Sequence, residues 1–422
     1  MRTTLIRGIA APAVFLTALF LCSASVEAQE NLEIWSPWSG SSGAALHALV
    51  ALYNERFPDV AVANAAASVG QEADAGAALR ARVFAGDPPD TFLVRGGPDL
   101  VQGWVATKKM EDLAGFYRMQ GWTRIFPRAL VSLVSSTSGS RVFTWSIPVS
   151  VNRTNVMWYV PSRLAAWGVQ PPASWDELIA AGRKLRDGGL AAPLAGESLT
   201  VLWEDAFLAA LGPVSWAGLW NGILKFTDKR AVDAWDAFGA AVDLANRDDS
   251  DQPRQGAMDR LVKGDAAFAL ASDRAEPYLT GELKLDPADD FAWAPAPGTA
   301  GAFAADVEGY GLPRGARNRA SILKWLVLIG SREGQDVFDP RAGSISPRVD
   351  SDLSRYDAYG RSAASDLRRD RIVASLAGGT AAAAAFSAGL VEVVTSYLAT
   401  RDAVAAARAA QALADQARLG KP

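Results

Sequence analysis

Cysteine and histidine are nearly missing from this 422-residue chain, which has one of each. The shortage of cysteine excludes a disulfide-stapled scaffold, and the two shortages together exclude a metal site built on several thiolate or imidazole ligands. His47 sits mid-helix by its pattern, one position round from Leu46, and reads as a solvated helix residue. A Ser-His-Asp triad therefore has no imidazole to draw on. A basic excess is absent too: 42 Lys and Arg stand against 46 Asp and Glu, a formal charge of −4. Nucleic-acid binding needs surplus cations to neutralise phosphates, and this balance does not supply them. Neither a Gly-Lys-Ser/Thr phosphate loop nor a G-x-G-x-x-G after a strand occurs, which argues against nucleotide use. No apolar run reaches the roughly 20 residues of a spanning helix. No cofactor and no metal are expected.

What the chain has in quantity is hydrophobic surface, at 50% of residues, and tryptophan, at 14. Its length predicts two or three domains, enough to bury large cores and leave a cleft between them. At the N-terminus, Arg2 and Arg7 precede the apolar run Ile9 to Leu21, and Val26-Glu27-Ala28 follows. This reads as a secretory signal over residues 1–28, cleaved after Ala28, so the mature chain starts at Gln29 in the periplasm. Cleavage removes Cys22, leaving an exported protein without thiol chemistry.

Leu32 to Trp35 reads as a strand, followed by a helix from Ala44 to Phe57 that Ser41 or Ser42 caps and that puts Leu46, Leu49, Val50 and Tyr53 on one face. Val60 to Val62 is extended, a helix spans Asp74 to Ala85, and Thr91 to Val94 is a short strand. Strand, helix, strand, helix, strand predicts an open, helix-covered sheet. The pattern restarts at Ser146 with strands over Ile147 to Val151 and Val156 to Val160. Ser174-Trp175-Asp176-Glu177 is a capping box for a helix through Leu185. Helices follow at Thr200 to Leu211, Lys229 to Asn246 and Ala257 to Lys263, and strands at Phe268 to Leu270 and Phe303 to Leu312. Beyond that the chain reads as helical to its end, with an Ala-rich helix after Asp402. No Pro/Gly/Ser tether separates the halves, so short crossing strands are expected to join them.

Two features carry chemistry. Asp306 and Glu308 lie two apart on a predicted strand, so both carboxylates share a face about 7 Å apart. A carboxylate pair is the machinery of glycoside hydrolysis, which makes a secreted glycoside hydrolase the rival reading. The tryptophans carry more weight. Trp35 and Trp38 adjoin a Gly-Ser-Ser-Gly loop at the carboxyl end of the first strand, where open sheets bind ligands. Their flat apolar rings suit the C–H faces of pyranoses or, equally, a core. Trp104, Trp167, Trp175 and Trp325 fall in or at the caps of helical patterns and are expected in cores.

Seven segments, in order along the chain, resemble the extracellular solute-binding proteins of carbohydrate ABC importers, family 1, and within them the glucose/mannose-binding type. They are Leu32 to Gly40, Gly86 to Asp90, Ile147 to Asn155, Pro172 to Leu178, Lys263 to Phe268, Ala294 to Thr299 and Gly343 to Arg348. The resemblance implies a periplasmic-binding-protein-like α/β fold, with two lobes joined by crossing hinge segments and a ligand cleft between them. It assigns residues 29–146 plus 302–348 to the N-terminal lobe and 147–301 plus 349–422 to the C-terminal lobe. It implies a monomeric receptor, not an enzyme, that captures a mono- or short oligosaccharide and delivers it to membrane permease subunits. Carried over residue by residue, Trp38 matches a sugar-stacking tryptophan, with Trp35 nearby. Arg95 matches a basic residue after a strand, and Asn152 is a further polar contributor. An acidic loop residue falls on Gly43, a second Trp platform on Arg274, a strand amide on Asp306 and a late histidine near Thr380. Glu308, Trp203 and Arg341 complete the expected binding set. The exchanges at Arg274 and Asp306 imply either a charged or unusually polar ligand, or a pair between these two side chains.

Overall fold

The computed structural model describes residues 30–68, 72–245, 254–417 and 419. The expected leader, its cleavage point and Cys22 lie outside them. Among the described residues, the strands in chain order are β1 (Glu30–Trp35), β2 (Val60–Asn64) and β3 (Thr91–Arg95), then a hairpin of β4 (Ser135–Ser138) and β5 (Arg141–Thr144). They continue with β6 (Ser146–Arg153), β7 (Val156–Tyr159), β8 (Leu194–Gly196), β9 (Phe268–Leu270), β10 (Ala292–Pro295), β11 (Ala302–Gly311) and β12 (Arg371–Ala374).

Two helix-covered sheets organise the chain. The first runs β12-β11-β3-β1-β2, with β6 also paired to β11; the second runs β10-β7-β9-β8. β1 pairs in parallel with β2 and β3, as the alternating strand–helix pattern predicts. β6 and β11 are buried at every residue, so their polar side chains, among them Asn152, Asp306 and Glu308, sit on strands covered on both faces. The chain steps from the first sheet to the second across Thr154 and Asn155, and returns between β10 and β11. Asn155 ties the two crossings together. Its Nδ2 donates to Thr299 Oγ1 at 2.8 Å and to the Ala302 carbonyl at 3.1 Å, and its Oδ1 accepts from the Ala304 amide at 3.0 Å.

Each sheet has a core with a local sequence cause. On the helix Gly40–Arg56, Leu46, Leu49 and Tyr53 are buried and Val50 packs partly against them. The capping box is present: Ser174 Oγ accepts from the Glu177 amide at 3.2 Å, while Glu177 Oε2 accepts from the Ser174 amide at 3.3 Å. The helix Leu199–Trp220 runs past the expected end at Leu211 but breaks at Gly212, whose φ of 68° precedes Pro213. Trp104, Trp175 and Trp325 are buried and Trp167 is half-buried, all packed as expected.

Three expectations need correction. Ser39, not Ser41 or Ser42, precedes the first helix; Ser41 Oγ instead donates to the Ala342 carbonyl at 3.1 Å. The chain is not helical beyond Leu312: β12 intervenes and pairs in parallel with β11. β6 and β12 fall in stretches that the resemblance gives to the second lobe, yet both hydrogen-bond to β11 in the first sheet. No helix of the described residues is long and apolar enough to cross a membrane.

Candidate functional site

A cleft of about 770 Å³ opens between the two sheets. Its wall takes Trp38 from the loop after β1, Arg95 from the end of β3, Asp306 and Glu308 from β11, and Glu197, Arg254 and Arg274 from the second unit. Asp306 and Glu308 project to one face because strand side chains alternate. A bulge between Glu308 and Gly309 fixes their aim. That bulge has a sequence cause: β6 presents Pro148, which has no N–H for the ladder. Opposite it, Gly309 approaches so closely that a Cβ would fall 2.2 Å from the Ile147 carbonyl oxygen.

The two carboxylates meet two guanidiniums. Arg95 lies directly across from Glu308 in the β3–β11 register. Its Nε is 3.1 Å from Asp306 Oδ1 and its Nη2 is 3.2 Å from Glu308 Oε1. Arg274 Nη2 donates to Asp306 Oδ2 at 2.8 Å and to Glu308 Oε2 at 3.0 Å. Trp38 Nε1 adds a donor to Glu308 Oε2 at 3.1 Å, while its ring packs on Phe338 at 4.6 Å. Burial works to raise the Glu308 pKa, but Arg274 and Arg95 outweigh it and hold the carboxyl down at about 2. The same two carboxylates push the Arg274 guanidinium up against its own burial.

Neighbouring turns hold this quartet in place. Asp273 is fully buried and accepts from Asn152 Nδ2 and from the Arg153 amide, each at 2.9 Å, which seats Arg274 beside β6. Burial pushes Asp273 up to about 7, against those hydrogen bonds and the charge of Arg274. Gly378 presses bare backbone on Asp306, where a Cβ would come within 2.6 Å of the Asp306 Cβ. The turn that carries Gly378 hangs on Glu204. That carboxylate accepts from the Leu376 and Ala377 amides at 2.5 and 2.8 Å, from Ser375 Oγ at 2.9 Å and from Thr154 Oγ1 at 2.5 Å.

A second cluster lies on the other unit's wall. Glu197 Oε2 accepts from the Ser272 amide and hydroxyl, each at 2.7 Å, and Glu197 Oε1 accepts from Arg254 Nε at 2.8 Å. Burial opposes ionisation there too, yet Arg254 and Ser272 hold the Glu197 carboxyl below its usual range.

Six residues expected from the sequence line the cleft together: Trp38, Arg95, Asn152, Arg274, Asp306 and Glu308. The other four stand elsewhere. Trp35 is 3% exposed in the first core, with the Arg82 guanidinium 5.7 Å from its ring centroid. Trp203 is wholly buried, stacked on Phe207 one helical turn away at 3.9 Å, so it is a core residue of the second unit. Thr380 is buried in the Ser375–Thr380 turn, where its hydroxyl donates to the Ala305 carbonyl at 2.6 Å. Arg341 is exposed beside a smaller adjoining pocket and donates to its own helix at the Val337 carbonyl. Gly43 lies behind the Trp38 loop, beside exposed His47. Sequence reasoning missed Glu197, Ser272 and Gly378, which sit in short turns without periodicity, and Arg254, the first residue of the helix Arg254–Lys263.

A polar cleft between two helix-covered sheets, lined from both sides and with short segments crossing between them, is the frame of a solute receptor. Residues 37–336 match the family described as bacterial extracellular solute-binding protein. The chain belongs to that family. Among relatives of this solute-binding protein is an uncharacterized ABC transporter extracellular-binding protein of Pyrococcus horikoshii, 25% identical over 382 residues, covering 88% of this chain and 85% of that protein. A Rhizobium meliloti protein named "Probable sugar-binding periplasmic protein" is 27% identical over 402 residues, covering 90% and 92%. Solved structures share its fold. A bacterial solute receptor with an exclusive preference for β-D-galactopyranose superposes at TM-score 0.75 and 16% identity, over 92% of this chain and 99% of that one. A chitin oligosaccharide binding protein superposes at TM-score 0.73 and 16% identity, over 92% and 98%.

Proposed function

We propose that this solute-binding protein is the periplasmic component of a carbohydrate ABC importer, taking a mono- or short oligosaccharide between its two α/β lobes and handing it unaltered to membrane permease subunits. The observation that carries the reading is the cleft wall itself: an indole and a dense set of oriented donors and acceptors, contributed by both units. Hydroxyls both donate and accept, so such a wall suits a polyol, and an aromatic face suits pyranose C–H bonds. The names of several relatives support it. We place the lobe crossings at Thr154–Asn155, between β10 and β11 and after β12, which divides the chain near residues 153, 302 and 375 with the closing helices back on the second core, and we take the receptor as a monomer exported by its leader. Within the family, the glucose/mannose-binding type is the subtype its motifs resemble, which makes hexoses the first ligands to try.

Hydrolysis fits the same residues poorly. A general acid must carry a proton near neutral pH. Glu308, held at about 2, carries none, and two guanidiniums and an indole N–H occupy its oxygens. A thermal-shift screen of the mature chain across neutral mono- and oligosaccharides tests the receptor reading. Stabilisation of several degrees by at least one sugar at saturating concentration is expected. No shift from any sugar, or turnover of an aryl-glycoside that Glu308→Gln abolishes, overturns it.

A further inference from the structure

Three guanidiniums and four carboxylates line the cleft. Six of these seven charges are matched on the wall itself: Arg95 and Arg274 with Asp306 and Glu308, and Arg254 with Glu197. The seventh, Glu282, is exposed, where water and salt screen it.

Resting on the sugar-receptor reading and sharpening it, we propose that Arg95, Arg274, Asp306 and Glu308 form one charge-neutral recognition unit that selects uncharged polyhydroxylated ligands and rejects their acidic and amino counterparts. The argument is electrostatic and geometric. A hydroxyl accepts from a guanidinium N–H and donates to a carboxylate lone pair at once, so it joins the quartet without altering its charge balance. A ligand carboxylate drawn to Arg95 or Arg274 arrives within a few ångströms of Asp306 and Glu308. A ligand ammonium drawn to the carboxylates meets both guanidiniums. Either ion enters the cleft without a counter-charge of its own, and desolvating it costs several kcal/mol.

Three of the four are fixed by their surroundings, and Arg95, with a side chain 43% exposed, is held by both carboxylates. Asp306 and Glu308 are buried on β11, with the bulge at Gly309 on one side and the Gly378 backbone against Asp306. Arg274 follows Asp273, which is bonded to both Asn152 and Arg153 on β6. The Glu197–Arg254 pair, held in turn by Ser272, closes the opposite wall in the same balanced way.

Calorimetry on the mature chain with matched ligand sets tests the proposal: galactose, galacturonate and galactosamine; glucose, glucuronate and glucosamine; chitobiose and its de-N-acetylated, cationic form. The expected result is that the neutral member of at least one set binds and that its charged counterparts bind about 100-fold more weakly, the scale of a like-charge contact in a dry interface. Arg274→Met leaves surplus negative charge and shifts the preference about tenfold or more toward the amine, while Asp306→Asn shifts it similarly toward the acid. A charged member that equals or exceeds its neutral parent on the unmodified chain overturns the proposal and leaves the receptor reading standing. Silence from every set, neutral members included, overturns both. If either variant loses its near-ultraviolet dichroism, the comparison on the unmodified chain decides alone.

Discussion

Two pairs of acidic side chains, both buried, behave in opposite ways. Asp306 and Glu308 face the cleft between two guanidiniums, and Glu308 stays ionised with its pKa near 2. Glu204 and Asp205 sit side by side on the helix Leu199–Trp220, beneath the cleft wall. There burial pushes both upward: Glu204 above its usual range despite four hydrogen-bond donors, and Asp205 well above its own. Both Asp205 oxygens are buried without a hydrogen-bond partner among the described residues. Desolvation is common to the two pairs and a matched cation is not, so the cation decides where charge survives burial. The cleft keeps its charges where a ligand can meet them, and the layer behind uses a carboxyl as scaffolding.

The largest expected effect removes that scaffolding. Glu204→Ala strips four donors of their acceptor and frees the turn carrying Gly378, with a loss of about 4 kcal/mol in urea unfolding; Glu204→Gln recovers part of it. An unchanged midpoint in the alanine variant would dissolve the contrast.

Acid titration gives the next effect. Glu308 has a folded pKa of about 2 against a reference of 4.5, so its contribution is complete above pH 4.5 and is lost as pH falls toward 2. The difference amounts to about 3 kcal/mol. Asp205 has the opposite sign. Its raised pKa means that the folded state holds a proton the unfolded chain releases, so its contribution is greatest at acid pH and declines as pH rises above the unfolded value. Melting curves of Glu308→Gln and Asp205→Asn across pH therefore diverge: the first flattens the acid limb, and the second steepens the rise toward neutrality by removing an opposing slope. Parallel curves would break the comparison.

The smallest effect is Asp205→Asn at about pH 3, below the ordinary Asp value, where the carboxyl holds its proton in both the folded and the unfolded chain. A neutral group of similar shape replaces it there, so stability changes by no more than about 1 kcal/mol. A loss of several kcal/mol would mean that the carboxyl is ionised and paired.

The elements legible in the sequence were those with long periodicity or a chemical marker. The helix face of Leu46, Leu49 and Tyr53, the Ser174–Glu177 box and the strand Phe268–Leu270 needed only local rules. β8, β10 and β12 span three or four residues each, too few for alternation to register against their surroundings. In the cleft, spacing placed Asp306 and Glu308 on one face, and family resemblance brought Trp38, Arg95 and Arg274 to them. The turn residues Glu197 and Gly378 lay beyond both guides, because a turn's role depends on which distant strand it touches. The two tryptophans judged alike, Trp35 and Trp38, part company over three residues. Trp35 closes β1 and turns into the core, whereas Trp38 follows Pro37 into the loop, where partners distant in sequence, Glu308 and Phe338, decide its direction. Trp203 misled for the converse reason: a tryptophan one turn from Phe207 is a helix-packing pattern, and three more aromatic rings lie within about 6.5 Å of it.

Because β6, β3 and β12 all hydrogen-bond to β11, the strand bearing Asp306 and Glu308 is the stiffest part of the cleft wall. Evolution toward a new cargo would find that floor hard to recut, since each change there disturbs a paired ladder. The surrounding turns, including the one that carries Gly378 and the loop that holds Trp38, are where lineages of such receptors have room to diverge.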